Sequence, residues 1–177
     1  MIKTGDIDYP NGSKYQGAII DGLPNGQGCF IDISGDIFLG NFVDGDKHGK
    51  FLVCTRNKDR INCEFDQDAQ YSDGIITYHN GNVYIGYIQE LEPNGVGLMY
   101  ETNGLVSKGF FTDGLLNGMN CEVYYQSGDK YVGDFINGEA FGPGTYYFNN
   151  GVSLEGEAVS SIFKSGDKEI KIWQENS

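Results

Sequence analysis

Apolar and polar residues alternate with a period of two in short runs along nearly the whole chain, most clearly from Lys130 to Ile136 and from Thr145 to Asn149. Such alternation predicts strands, and the glycine-rich segments between them predict tight turns, so the two runs read as the front and back strands of a β-hairpin. The pair recurs. Positions equivalent to Gly128 fall at Gly12, Gly35, Lys58, Gly81, Gly104 and Gly151, a spacing of 23 residues that becomes 24 only between Gly104 and Gly128. A fixed period of this length marks a stacked repeat architecture whose units cannot bury their apolar residues alone. The divisions are a half-repeat 5–11, units 12–34, 35–57, 58–80, 81–103, 104–127 and 128–150, and a partial unit 151–163, with 164–177 as a cap or tail outside the period. The predicted fold class is all-β, an elongated single-layer antiparallel meander of stacked hairpins, with residues 1–163 forming one continuous array.

Turn chemistry sets the expected register. Asn-Gly stands where a back strand meets the next front strand, at Asn11-Gly12, Asn80-Gly81, Asn103-Gly104 and Asn150-Gly151. That dipeptide is the strongest short-range signal for a two-residue type I′ turn, in which both residues take φ > 0. Inside a unit the connection reads as longer, as in the stretch from Asp21-Gly22 to Gly26-Gln27-Gly28. A phosphate-cradling loop there would need a helix immediately afterwards, and the run from Cys29 to Ile33 alternates as a strand instead. The extra residue before Gly128 is expected near Met119-Asn120 as a widened turn, because an insertion within the strand would throw Val123 and Tyr125 onto the wrong face.

Two-residue joints would set Tyr147 opposite Leu154, Tyr124 opposite Tyr131, Tyr100 opposite Ser107, Thr77 opposite Tyr84 and Ile31 opposite Phe38. The same face would carry a glycine column, Gly17, Gly40, Gly86, Gly109, Gly133 and Gly156, interrupted by Cys63, and the column Ile19, Phe42, Phe65, Ile88, Phe111 and Phe135. Phe30, Leu39, Val53, Val123, Val132 and Tyr146 would lie opposite, among Gln16, Asn62, Lys108 and Glu155. Both faces are then partly apolar. A single-layer sheet of this kind must curl, pair with a second copy or hold a partner.

The recurring pattern Tyr-x-Gly-x-Phe, Asp/Asn-Gly, Gly-x-Gly resembles the MORN repeat (membrane occupation and recognition nexus) over roughly residues 5–158, with its best matches at Tyr15-Gln16-Gly17, Phe38-Leu39-Gly40, Tyr84-Ile85-Gly86 and Tyr131-Val132-Gly133. Departures concentrate in the degenerate unit 58–80, where Ile61, Cys63, Asp68 and Ser72 replace an aromatic and three glycines. The resemblance implies a twisted, curved sheet with an aromatic groove that holds an extended or helical segment of another protein. Carried onto matching positions, the implied partner-binding patch is Tyr84, Tyr100, Phe111, Tyr124, Tyr131, Phe135 and Tyr147. The family name also implies a peripheral membrane or phosphoinositide-associated module. Similar arrays precede SET methyltransferase and phosphatidylinositol phosphate kinase domains, which gives a third reading as an accessory subunit or fragment of an enzyme, since this chain ends without such a domain.

Composition narrows these readings. The net charge is −13, and between Ile61 and Phe163 the only basic residues are Lys108 and Lys130, so nucleic acid is not expected as a partner. Membrane association would need a local basic site built from Lys47, Lys50, Arg56, Lys58 and Arg60, because acidity repels anionic lipid. A basic or amphipathic protein segment suits the charge better. Cys29, Cys54, Cys63 and Cys121 show no Cys-x-x-Cys spacing; the predicted register sets Cys63 opposite Leu52 and Cys54 opposite Ile61, which leaves four buried reduced thiols. His48 and His79 read as solvent-facing turn residues with no nucleophile at motif spacing, and Asp44, Asp46, Glu64, Asp66 and Asp68 lack the ligand order of a calcium loop. The expectation is a non-enzymatic scaffold without cofactor or metal, in the cytoplasm, held at cytoskeleton or membrane through a partner. In the tail, Ile170 and Ile172 alternate like a closing strand, Ile170 and Trp173 also suit one face of a short helix, and Trp173 serves either the cap or a partner.

Overall fold

Alternation along the chain becomes strands throughout the structure, a computed structural model that describes residues 2–172, and no helix occurs among the described residues. Contacts divide the chain into two units. The first comprises residues up to Asn80 together with Tyr87–Leu91, and the second Gly81–Gly86 together with the chain from Glu92 onward. In the first unit β1 (Lys3–Asp8), β2 (Lys14–Ile20), β3 (Leu23–Ile31), β4 (Ile37–Val43), β5 (Asp46–Cys54), β6 (Arg60–Asp66) and β7 (Ala69–Thr77) pair antiparallel in chain order. Strand β8 (Val83–Gln89) is divided between the units. In the second unit β9 (Glu92–Tyr100), β10 (Val106–Thr112), the short β11 (Leu115–Leu116) with β12 (Gly118–Tyr124), β13 (Lys130–Ile136), β14 (Glu139–Tyr147), β15 (Ser153–Val159), β16 (Ile162–Ser165) and β17 (Lys168–Lys171) form the same meander.

The two kinds of turn are exchanged relative to the sequence expectation. The type I′ turns lie inside each unit, where both central residues have positive φ: Asp21-Gly22, Asp44-Gly45, Gln67-Asp68, Glu90-Leu91, Asp113-Gly114, Asn137-Gly138 and Ser160-Ser161. No long connection follows them. The back strand starts at once, and the additional residues are taken up as register shifts between Gly17 and Ile19, Gly40 and Phe42, Asn62 and Phe65, and Gly133 and Asp134. The Asn-Gly joints are three-residue loops. Phe148 N–H donates to Val152 O at 2.8 Å and Gly151 N–H to Phe148 O at 3.0 Å, so only Gly151 takes positive φ, at 86°. Asn150 contributes its side chain instead, accepting the Val152 N–H on Oδ1 at 3.0 Å.

One added loop residue moves the following predicted pairs by one. Tyr146, not Tyr147, stands opposite Leu154; Val123 opposite Tyr131; Met99 opposite Ser107; Phe30 opposite Phe38. Likewise Cys63 faces Phe51 rather than Leu52, and Ile61 faces Val53 rather than Cys54. Because side chains alternate strictly, the slip transfers the back-strand aromatics Phe30 and Tyr146 to the face of Tyr15, Phe38 and Tyr131. The inserted residue is where it was expected, between Gly118 and Cys121 with Asn120 at φ 54°, but as a bulge at the head of β12 rather than a wider turn. The bulge ends before Val123, which pairs with Tyr131.

The inner face is thereby the core. Tyr15, Tyr84 and Tyr131 are fully buried, and each lies flat on glycines of its own hairpin: a Cβ on Gly28, Gly97 or Gly144 would stand 2.3 Å from the respective hydroxyl oxygen. Rings then meet edge to face within and between repeats, Tyr15 to Phe42 at 5.0 Å, Phe42 to Phe51 at 5.3 Å and Phe51 to Phe65 at 5.1 Å in the first unit, and Tyr84 to Phe111 at 5.1 Å and Tyr131 to Phe163 at 5.7 Å in the second. Each such pair contributes about 1 kcal/mol beyond its area. Despite its departures, the repeat 58–80 closes regularly, with Lys58 at φ 71° in the place of a loop glycine.

Among the described residues the four cysteines are free thiols; Cys63 and Cys121 are buried as expected, whereas Cys29 and Cys54 are half-buried on the outer face. Burial pushes the Cys63 thiol up to about 12. In the tail, β17 is a strand: Ile170 pairs with Phe163, and the buried Ile172 accepts the Tyr125 hydroxyl on its carbonyl at 2.6 Å. Trp173 lies outside the described residues.

Candidate functional site

The corrected register divides the seven candidate residues between two faces. Tyr84, Phe111, Tyr131 and Phe135 are on the inner face and at most 2% exposed, so their rings hold repeat to repeat. Tyr100, Tyr124 and Tyr147 are on the outer face, exposed by 41%, 37% and 40%. These three are brought together. Tyr100 pairs with Val106, Val106 with Tyr124, Tyr124 with Lys130, and Lys130 with Tyr147, which forms one straight row across β9, β10, β12, β13 and β14.

A small electrostatic cluster fixes the middle of the row. Glu122 receives Lys108 Nζ at 2.8 Å and the Tyr124 hydroxyl, and lies 3.7 Å from Lys130 Nζ. The hydrogen bond from Lys108, then that from Tyr124, holds the Glu122 carboxyl below the usual carboxylate range. The Tyr124 hydroxyl is correspondingly raised, chiefly by that same hydrogen bond to Glu122. Lys130 Nζ sits 4.9 Å from the Tyr147 ring centre and 5.8 Å from that of Tyr124, so the ring faces already carry a cation.

The same row in the first unit is Ile31, Ile37, Cys54, Arg60 and Thr77. The fold therefore does not require rings at these outer positions. Lys130 and Val106 were missed by the sequence reading, because a two-residue joint sets Lys130 off the row that Tyr124 occupies; the run of tyrosines at the last outward position of successive back strands was the available signal.

Other candidates resolve differently. His48 is on β5 rather than in a turn, with Nδ1 3.2 Å from Asp66, and His79 Nδ1 is 3.2 Å from Asp59; both side chains are mostly exposed. Lys47 does not contribute to an outer basic patch. Its ammonium is turned inward over Phe30, Phe38 and Phe65 at 5.5, 5.2 and 5.5 Å and meets Asp68 at 2.6 Å. Among the described residues no group of three or more His, Cys, Asp or Glu is arranged to hold a metal ion. A hollow of about 530 Å³ in the second unit is lined by Asn103, Tyr125, Asp129, Tyr146 and Ile170, but both phenols are engaged, Tyr125 with Ile172 and Tyr146 with Asp129 at 3.1 Å.

Comparison with known proteins gives three findings. The model of the MORN repeat family matches residues 15–37 and 131–153. The "Inactive protein tyrosine kinase pTKL" of Plasmodium berghei (strain Anka) is 22% identical over 151 residues, covering 85% of this chain and 10% of that protein, so the chain spans about a tenth of the length of this curated relative. Among solved structures, the SAS-4 (dCPAP) TCP domain of Drosophila melanogaster, in complex with a proline-rich motif of Ana2, aligns with a TM-score of 0.48 at 14% identity over 86% of this chain and 88% of that one. The TCP10 domain of Danio rerio CPAP aligns with a TM-score of 0.42 at 12% identity over 94% and 97%.

Proposed function

On the premise that the chain carries MORN repeats, we propose that it is a non-enzymatic interaction module that binds a segment of a partner protein on the outer row Tyr100, Val106, Tyr124, Lys130 and Tyr147. The observation that carries this is the pairing of three exposed tyrosines in one cross-strand row at positions where the first unit folds with Ile31, Cys54 and Thr77. Half-exposed rings on a rigid sheet supply large contact area at small entropy cost, and a central one contributes about 2 kcal/mol to binding. The four inner aromatics of the candidate patch support the row by fixing the strands beneath it.

Purification of partners from native cells tests this, with the wild type against a Tyr100→Ala, Tyr124→Ala, Tyr147→Ala variant shown by circular dichroism and melting to remain folded. A partner protein recovered by the wild type and lost by the folded variant is the expected result. Equal recovery by both would remove the row from the binding surface. Liposome flotation with anionic lipid should leave the protein in the aqueous fraction, because Lys47 is turned into the core and the remaining cations are outnumbered.

A further inference from the structure

The spacing of the row identifies the kind of segment it fits. Tyr100, Tyr124 and Tyr147 occupy every second strand. With neighbouring strands about 4.8 Å apart, the tyrosines repeat at roughly 9.6 Å across the sheet. A polyproline II helix returns the same face every third residue, roughly 9.3 Å along its axis, and so stays in step over all three rings. An α-helix returns a face every seventh residue, roughly 10.5 Å, and is out of step by about 2 Å at the third ring. A fully extended strand presents one face at about 7, 13 and 20 Å and so misses the middle ring by about 3 Å. Proline-rich segments are also the ligands that aromatic surfaces take at least entropic cost, because their conformation is preformed.

Charge selects the rest. Lys108 and Lys130, the only basic residues between Ile61 and Phe163, both converge on Glu122, at 2.8 and 3.7 Å. Glu155 and Glu157 stay exposed on the adjoining strand, Glu155 beside Thr145 and Glu157 beside Pro143. The face therefore has its positive charge neutralised internally and carboxylates in excess. Lys130 over Tyr124 and Tyr147 shows what the rings accept: a cation laid on the ring face.

We propose that the tyrosine row docks a proline-rich, basic segment of a partner protein in the polyproline II conformation, running across the strands with every third residue on a ring. The inference rests on the binding role proposed above for this row. About seven residues of such a helix span from Tyr100 to Tyr147.

The test is fluorescence anisotropy at physiological ionic strength with three labelled peptides of equal length and equal arginine count: Pro-Pro-Arg triplets, an alanine-based helix, and Gly-Ser-Arg triplets. The expected result is binding of the Pro-Pro-Arg peptide at least about tenfold tighter than either other peptide, and a loss of about tenfold or more in Tyr124→Ala, the effect of one central aromatic. Lys130→Ala, which frees two ring faces and removes a like charge, should tighten the same peptide. Tighter, tyrosine-dependent binding of the helical peptide would overturn the polyproline II assignment while leaving the row as the binding surface. Binding of all three peptides alike with no dependence on Tyr124, or no binding of any, would overturn the proposal; the row itself would then fall only if partner recovery also survived the triple variant.

Discussion

The ring of Tyr131 lies flat against the backbone of Gly144, where an added Cβ would stand 2.3 Å from the hydroxyl oxygen and 2.7 Å from Cζ. The same relation joins Tyr15 to Gly28 and Tyr84 to Gly97, so the glycines are seats for rings rather than flexible points. Overpacking a rigid seat displaces the whole ring. Gly144→Ala should destabilise by about 3 kcal/mol in urea unfolding, at the upper end of such effects, because Tyr131 is fully buried and touches Phe163 of the next repeat. A cost near zero would mean that the ring does not occupy the trough.

Tyrosine hydroxyls in this core are not equivalent. Tyr15 donates to Ala18 O at 2.8 Å, whereas the Tyr131 hydroxyl is buried with no hydrogen-bond partner among the described residues. Removing the first loses a bond, and removing the second relieves an unsatisfied group. Tyr15→Phe should therefore cost about 1 kcal/mol and Tyr131→Phe should be neutral or stabilising by a similar amount. Alkali separates them further. Burial pushes Tyr131 and Tyr146 up to about 12, above the value of about 10 in an unfolded chain. Their contribution is complete below the unfolded value and is lost as pH rises through the folded one, since the unfolded chain ionises first. Denaturant midpoints across that range should fall less steeply for Tyr131→Phe than for the wild type.

Lys58 holds φ at 71° in a loop position that is glycine in the other repeats, as at Gly12, Gly35 and Gly151. A left-handed conformation costs a residue with a Cβ about 1 kcal/mol or more, part of which glycine returns through its freer unfolded chain. Lys58→Gly should raise stability by about 0.5 kcal/mol, read as a higher urea midpoint with unchanged slope. A lower midpoint would show that the lysine has compensating contacts.

The repeat, its period, the front strand from Lys130 to Ile136 and the place of the inserted residue were legible because each rests on local pattern. Register was not. Asn150 favours two different geometries for two different reasons, a left-handed backbone in a type I′ turn and a side-chain acceptor in a three-residue loop, and only the second is used. That single loop residue decided which aromatics share a face, and so whether Tyr131 and Tyr147 belong to one patch. The better signal lay in the core pattern: pairing Phe30 with Phe38 keeps rings on one face, while pairing Ile31 with Phe38 puts Phe30 beside Gln16 and Asn62.

Lys47 tests how a charge is tolerated on the inner face. It sits at a position of β5 that other repeats fill with the buried Pro24, Leu116, Ala140 or Phe163, and repeat 58–80 with the buried Gln70. Its side chain is 16% exposed and that of Asp68 is 49%, so the lysine carries most of the desolvation. Asp68 also accepts the Lys47 backbone N–H at 2.9 Å, which makes the carboxylate the support for both groups. Removing the cation leaves a half-solvated acid that water can satisfy, and an apolar chain of similar length can lie on Phe30, Phe38 and Phe65 in its place. Removing the acid leaves an ammonium among rings and a backbone donor without its acceptor. Lys47→Met should thus change stability by less than about 1 kcal/mol, while Asp68→Ala should cost about 1–3 kcal/mol. In the double variant the cost of losing Asp68 should shrink, because the stranded charge is gone; equal costs with and without Lys47 would show that the pair is not coupled and that the aromatic cage holds the lysine unaided.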